Sequence, residues 1–324
     1  MSTTGKKTLS RPKIAVSSCL LGHEVRFDGG HKNSRYVSDI LSEYFDFVPL
    51  CPEVAIGLGV PRPTIRLVET APDVVDAVSN ADSSLVYSDE LRAYGRKTAP
   101  QLTDISGYIF KKDSPSCGMS RVKIYRGAQK MPERIGVGLY ANEIMKALPN
   151  LPMEEEGRLQ DTRLRENFLE RVFLYSRWQA FRDQGYTSRG LVEFHTAQKF
   201  AVLAHDEPVY RELGRIVAKA GKGEISEACE AYITLLMKGM SVLTTPKKHA
   251  NVLMHIMGFF KESLSAEDKA ELLRLIDAHR EGLVPVIVPI TLINYFRKKY
   301  PNEYIDGQTY LEPHPPELML RNAL

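Results

Sequence analysis

The chain has 324 residues, 43% of them apolar and 26% charged, the make-up of a globular rather than a disordered protein. Its 43 basic and 40 acidic side chains leave a net charge of +3, split 21 against 19 up to residue 160 and 22 against 21 beyond it, so net charge gives no argument for a nucleic-acid partner. No run of about 18 uncharged apolar residues could cross a membrane, residues 1–13 lack the apolar stretch of a secretory signal, and four cysteines are too few for a disulfide scaffold. The expectation is a cytoplasmic protein with no membrane partner, and the length predicts about two domains.

The first half reads as α/β. Lys13–Ser17 (KIAVS) is a short apolar strand running into a loop at Cys19. A helix is expected over 38–44, and a second strand over Phe45–Leu50 ends at Cys51. Residues 73–88 read as mixed, and 89–96 as a weakly signalled helix. A third strand, Ser106–Phe110, feeds a loop at Cys117; Val122–Tyr125 is a further candidate strand and 142–148 a helix. Strands alternating with helical stretches predict βαβ units and a mostly parallel, Rossmann-like sheet.

Beyond this the pattern changes. Pro149, Asn150 and the acidic run Glu154–Glu156 break the chain, which puts the boundary at 155/156 between an α/β domain (1–155) and an all-helical domain (156–324). Leu164, Phe168, Leu169, Val172, Phe173 and Tyr175 follow helical spacing within 162–184. Further helices are expected over 191–203, 210–220, 225–240, 247–261, 266–279 and 289–299, with Ser265 and Asp268 as a capping box. The tail, 308–316, is rich in Pro and Tyr and reads as a packed extended segment.

Cys19, Cys51 and Cys117 each follow a predicted strand, in SSCLLG, LCPE and KKDSPSCG. In a parallel sheet the strand C-termini share one edge, where open α/β folds bind ligands. Three cysteines distant in sequence are therefore expected to meet. Three thiolates suit a catalytic zinc with an open position. They also suit an iron–sulfur cube, which normally takes four cysteines and with three leaves one iron open to a soft atom such as sulfur. The plainer alternative is three buried cysteines packing as small hydrophobes. No C-x-x-C pair suggests a zinc ribbon or a thioredoxin-like site. Cys229, alone on a helix of the second half, reads as structural.

Glu53 lies two residues after Cys51, and Ser114 and Ser116 lie just before Cys117. Glu53 could serve as general base for water, or as a helix N-terminal carboxylate satisfied by backbone amides. Either serine could relay a proton or hold substrate, or cap the turn at Pro115. The glycine-bearing loop VRFDGG (25–30) supplies Arg26 and Asp28 as candidate substrate contacts, although glycine pairs also make ordinary turns. Arg62 and Arg66, after the loop at 57–61, either meet anionic groups or are solvated. His195, His205, His249 and His255 form no metal motif and read as packing or surface histidines. Lys111, Lys112, Lys247, Lys248, Arg297, Lys298 and Lys299 could contact phosphates if they share a face, and Lys247–Lys248 at a helix start is the best candidate among them.

Taken in order, SSCLLG, VRFDGG, LCPE, GLGVPRP and KKDSPSCG resemble the thiouracil desulfidase (TudS) family over about residues 11–150. The segments FLERVFLYSRWQ (168–179), LVEFHTAQKFAVLAHD (191–206), KKHANVLMHIMGFFK (247–261) and QTYLEPHPPELMLRN (308–322) resemble the YbgA-type helical domain. The two fused in one chain resemble the tRNA 4-thiouridine desulfidases of the RudS type. The resemblance implies a [4Fe–4S] cluster held by Cys19, Cys51 and Cys117, with the fourth iron open to the substrate sulfur. It implies a non-redox desulfuration that turns thiouracil or thiouridine into uracil or uridine, with Glu53 activating water and Ser114 or Ser116 assisting. It further implies thiolated tRNA as partner of the fused form and the helical domain as its RNA-binding part. Arg26, Asp28, Lys111, Lys247 and Lys248 are then the candidate substrate-binding residues. Where short members carry a carboxylate near Arg66, this chain reads PRPTIR (61–66), which favours the fused subfamily. Two further readings stand beside it: a desulfidase of free thiouracil whose helical domain serves assembly, and a non-catalytic RNA-binding protein whose cysteines hold a structural metal.

Overall fold

The computed structural model describes residues 11–126 and 131–322. The chain forms two compact units, 1–160 and 161–324, where the sequence had suggested a division at 155/156.

The first unit contains the strands β1 (Lys13–Ser17), β2 (Asp46–Leu50), β3 (Ile65–Ala71), β4 (Val74–Ser79), β5 (Ile105–Phe110), β6 (Val122–Arg126), β7 (Glu133–Gly136) and β8 (Met153–Glu155). They make two sheets. In the first, of order β2-β1-β5-β8, every neighbouring pair is parallel, with Ala15 opposite Val48 on one side and Tyr108 on the other. β1 and β5 are its inner strands. Ile14, Ala15 and Val16 are fully buried, and every residue of β5 is buried, Ser106 included, as in a sheet covered on both faces.

The second sheet, of order β4-β3-β6-β7, is mixed: β3 pairs antiparallel with β4 and parallel with β6, and β6 pairs antiparallel with β7. Its β4 occupies part of the segment read as mixed, and β3 and β7 had not been anticipated. These strands are half-exposed and carry Arg66, Glu69, Asp76 and Arg134, which blur the apolar signal. The helices here are α1 (Pro52–Ala55), α2 (Ser88–Thr98) and α3 (Leu139–Ala147). The helix expected over 38–44 is replaced by two short turns, Tyr36–Ile40 and Leu41–Glu43.

The acidic run expected to break the chain instead begins in β8. Glu154 accepts from Arg158 Nε (2.6 Å), Glu155 Oε1 accepts from the Met119 and Ser120 amides (2.7 and 3.3 Å), and Glu156 Oε2 accepts from the Lys112 amide (2.7 Å). Each buried carboxylate is hydrogen-bonded, which is the condition for placing charge beside a core.

The second unit is helical among the described residues: α4 (Thr162–Asp183), α5 (Ser188–His205), α6 (Glu207–Lys219), α7 (Ile225–Met240), α8 (Pro246–Gly258), α9 (Ala266–Arg280), α10 (Ile287–Lys299) and α11 (Glu303–Asp306). Side-chain caps start many of them. Asp161 accepts from the Arg163 and Leu164 amides, Thr245 from Lys248, and Ser265 from Asp268, the capping pair expected from sequence. Trp178 packs against Phe181, Tyr186, Phe194 and Tyr232 in the core. Cys229 is buried in the same core. The tail packs down with Tyr310 and Leu311 buried, and Arg177 donates to Pro313 O (2.6 Å). Among the described residues no helix is long and apolar enough to cross a membrane.

Candidate metal centre at the strand ends

β1 lies between β2 and β5, so the chain leaves β1 to one side first and to the other later. The edge beyond the carboxyl ends at such a reversal is where open α/β sheets take ligands. Cys19 follows β1 in a turn closed by Gly22, whose φ of 87° is natural only for glycine. Cys51 follows β2 directly and precedes α1, with Pro52 fixing the first helical turn. Cys117 sits in the loop after β5. All three cysteines line one cavity of about 350 Å³.

The Cys117 loop is anchored from several sides. Ser114 Oγ accepts from the Cys117 and Ser116 amides (3.1 and 3.3 Å). The start of α3 donates back to the loop, Leu139 N to Pro115 O (3.0 Å) and Ala141 N to Ser116 O (3.1 Å). Gly138 makes this approach possible, because a Cβ there would stand 2.5 Å from the Ser116 carbonyl.

All three cysteines are free thiols. Burial pushes Cys19 up to about 11, against the pull of Lys111 and Arg26, and also raises Cys51. Burial, then the neighbouring Cys51, drives Cys117 well above the ordinary thiol range. Such groups become thiolates when a metal supplies the compensating charge. Among the described residues no three His, Cys, Asp or Glu stand close enough to share one ion. Three thiols lining one cavity are the donor set of an iron–sulfur cube that keeps one iron open, each thiolate binding its own iron.

Glu53 lines the cavity beside Cys51. Its Oε1 accepts from Ser116 Oγ (2.9 Å), and its Oε2 accepts from Arg62 Nε and Nη2 (3.0 and 2.7 Å). Arg62 is not the solvated arginine that its sequence context favours. Its side chain is 4% exposed against 17% for Glu53, and it also donates to Gly59 O (2.8 Å) and Val25 O (3.0 Å). The carboxylate is thus fixed by a two-pronged guanidinium on one oxygen and a serine on the other. The two serines also separate. Ser116 is fully buried and holds Glu53, whereas Ser114 lines the cavity while tying the loop backbone.

The remaining candidates divide. Lys111 lines the cavity, ion-paired to Glu156, and its amide donates to Ser17 Oγ (3.0 Å). Arg26 and Phe27 line it too, with the guanidinium 5.0 Å from the ring centroid. Asp28 stands outside the lining. It accepts from Gly30 N (3.1 Å), a bond that holds its carboxyl below the ordinary range and closes the turn. Arg66 lies over the Tyr125 ring on the second sheet (5.3 Å). Lys247 and Lys248 belong to the second unit. Lys247 is exposed, and Lys248 Nζ donates to His205 O (2.6 Å). Arg62 meets an anionic group, one of its two expected fates, but its pairing with Glu53 and the Gly138 contact went unread in the sequence. The only signal for either was the density of glycine and proline in GLGVPRP and before α3.

The family model described as 2-thiouracil desulfurase matches residues 14–156. An uncharacterized Bacillus subtilis (strain 168) protein, YbbK, is 30% identical over 144 residues, which covers 41% of this chain and 90% of that protein. The chain belongs to the 2-thiouracil desulfurase family. Its second unit carries the match to the family described as protein of unknown function DUF1722, over 199–315. The uncharacterized Escherichia coli (strain K12) protein YbgA is 30% identical over 162 residues, 50% of this chain and 96% of that protein. A solved structure titled [4Fe-4S]-dependent thiouracil desulfidase TudS is 27% identical and covers 46% of this chain and 93% of its own, with a TM-score of 0.37, at which the superposition carries no argument. The desulfurase match spans Cys19, Cys51, Glu53, Arg62, Ser116 and Cys117 together.

Proposed function

We propose that this protein is an iron–sulfur desulfidase that converts 4-thiouridine in tRNA to uridine, with a [4Fe–4S] cluster on Cys19, Cys51 and Cys117. The observation that carries the reading is one cavity lined by three free thiols and by a carboxylate clamped between Arg62 and Ser116. Family membership supports desulfuration as the reaction. The joining of the two domains in one chain, which resembles the tRNA 4-thiouridine desulfidases, supports tRNA as the substrate.

When bound, the cluster supplies an open iron, a Lewis acid for the substrate sulfur. The chain's own residues do the rest. Glu53, on the cavity wall, takes a proton from water through Oε1, so that the water oxygen attacks the thiocarbonyl carbon. Ser116 donates to that same oxygen and aims it, and Arg62 keeps the other oxygen out of the reaction. Lys111 and Arg26 place positive charge beside Cys19, where an anionic centre would sit. The net change replaces C=S by C=O at the cost of one water and releases hydrogen sulfide, with no change in oxidation state.

The test is anaerobic incubation of the cluster-loaded protein with tRNA that contains 4-thiouridine, followed by nucleoside analysis and sulfide assay. Loss of 4-thiouridine with release of sulfide is expected. Consumption of free thiouracil with the tRNA unchanged would move the substrate to the free base, and failure on both would end the desulfidase reading.

A further inference from the structure

The second unit holds a cavity of about 170 Å³ that the desulfuration chemistry does not use. Glu166 and Glu170 of α4, His205 of α5, His279 of α9 and Arg321 of the tail stand on its wall, joined by the exposed Arg163. The Arg321 side chain is 3% exposed. Its backbone amide donates to Glu166 Oε2 (3.1 Å), and its Nη1 donates to Tyr310 O. Its Nε and Nη2 have no hydrogen-bond partner, because the Oε1 atoms of Glu166 and Glu170 stand 3.6 Å from them. Arg321 keeps this place at φ 70°, a left-handed backbone that disfavours a side chain. His279 shows the converse lack. Its Nδ1 faces Val284 O (3.0 Å) and so carries the proton of a ring that burial keeps neutral. Its Nε2 is then a lone pair, and it too is buried without a partner.

A buried donor or acceptor left unpaired is costly, so three on one wall call for an occupant. These lacks define it. The guanidinium needs an acceptor, and His279 needs a donor. Charge points to an anion. His205 meets Val242 O through Nδ1 (2.6 Å) and Glu170 through Nε2 (3.3 Å), so both ring nitrogens donate and the ring is positive. Arg163, His205 and Arg321 therefore face only two carboxylates, and burial, which favours the neutral form of Glu166, widens the positive excess. We propose that this cavity binds a hydrogen phosphate group, free or as a small monoester, with its oxygens on Arg321 and its hydroxyl donated to His279 Nε2. A guanidinium fork matches phosphate oxygens. The retained proton is the selective feature. Sulfate has the same shape and charge without it, and a phosphodiester such as a nucleic-acid backbone also lacks it.

Calorimetric titration of the full, cluster-loaded chain with inorganic phosphate, glycerol phosphate, sulfate and dimethyl phosphate tests this. Phosphate or its monoester should bind at least about tenfold tighter than sulfate and the diester, because a site built for a hydroxyl rejects analogues that lack it. The tighter of phosphate and glycerol phosphate identifies the source of the group, and either supports the site. His279→Leu should lower phosphate binding to the level of sulfate, whereas Arg163→Gln, at an exposed position, should weaken both anions alike. No binding of phosphate or monoester up to about 10 mM would overturn the proposal. So would sulfate or dimethyl phosphate binding as tightly as phosphate, a result read on the parent chain and independent of whether any variant folds. A phosphate preference that survives in His279→Leu would remove His279 as the acceptor and overturn it equally.

Discussion

The two units gather different buried reactive side chains, ion-paired histidines and carboxylates in one and free thiols in the other. In the second, the histidines are mostly spent on their surroundings. His205 bonds Val242 O and Glu170, His249 bonds the Tyr310 hydroxyl, and His279 bonds Val284 O. Burial pushes Glu170 up, but the His205 bond and charge, with Arg321 and His314, outweigh it and hold that carboxyl well below the ordinary range. In the first unit, Cys19, Cys51 and Cys117 are pushed up by burial and line open space together. The second cluster also borders a cavity, of about 170 Å³, and the His279 and Arg321 side chains on it keep buried nitrogens without a hydrogen-bond partner. What sets the first unit apart is its donors: three thiols and a clamped carboxylate on one cavity.

The sharpest way to break this contrast is at Glu53. Glu53→Gln keeps the shape and a hydrogen bond from Ser116 but removes the base, so turnover should fall by about 10²–10⁴-fold with the cluster retained. A near-normal rate in an iron-loaded variant would remove Glu53 from the chemistry. Gly138→Ala probes the scaffold behind the site. Its Cβ would press on the Ser116 carbonyl, and relieving that contact should cost about 1–3 kcal/mol in a urea titration and loosen cluster retention. A variant as stable as the parent would show that the close approach does not constrain the Cys117 loop.

A further effect concerns the second unit and pH. Burial lowers His195 and His314 from 6.5 to about 4, and lowers His249 and His279 as well. Between pH 6.5 and about 4 the unfolded chain therefore binds protons that the folded chain refuses, and stability falls as pH drops through that window. The single tryptophan, Trp178, lies in this unit's core and reports its unfolding. A denaturation midpoint that rises between pH 6.5 and 4 would contradict the neutral, buried state of these rings.

Much of this was legible in the sequence, and the exceptions share a cause. Regular apolar spacing fixed the helices from Thr162 to Lys299 to within a few residues, because burial of one face imposes the period. The inner strands β1 and β5 were equally plain as short apolar runs. The half-exposed β3, β4 and β7 were not, since half-buried, paired charges such as Arg66, Glu69 and Asp76 interrupt their apolar pattern. β8 was hidden because an acidic run reads as a break, while Glu155 is satisfied by the Met119 and Ser120 amides, far away in sequence, and Glu154 by Arg158 four residues on. The cysteines could be placed from strand ends alone. Arg62 could not, because its pairing with Glu53 depends on how the loop at 57–61 folds back. The choice between Ser114 and Ser116 likewise needed the three-dimensional path of a loop in which both flank Pro115.

The central claim is that three of the four cysteines hold one cluster. Iron and acid-labile sulfide, measured per chain on anaerobically purified protein, test it most directly across the parent chain, Cys117→Ala and Cys229→Ala. The account predicts about four irons and four sulfides in the parent chain and in Cys229→Ala, and loss of that content in Cys117→Ala. Full iron and sulfide in Cys117→Ala, their loss in Cys229→Ala, or a single zinc in the parent chain would contradict it.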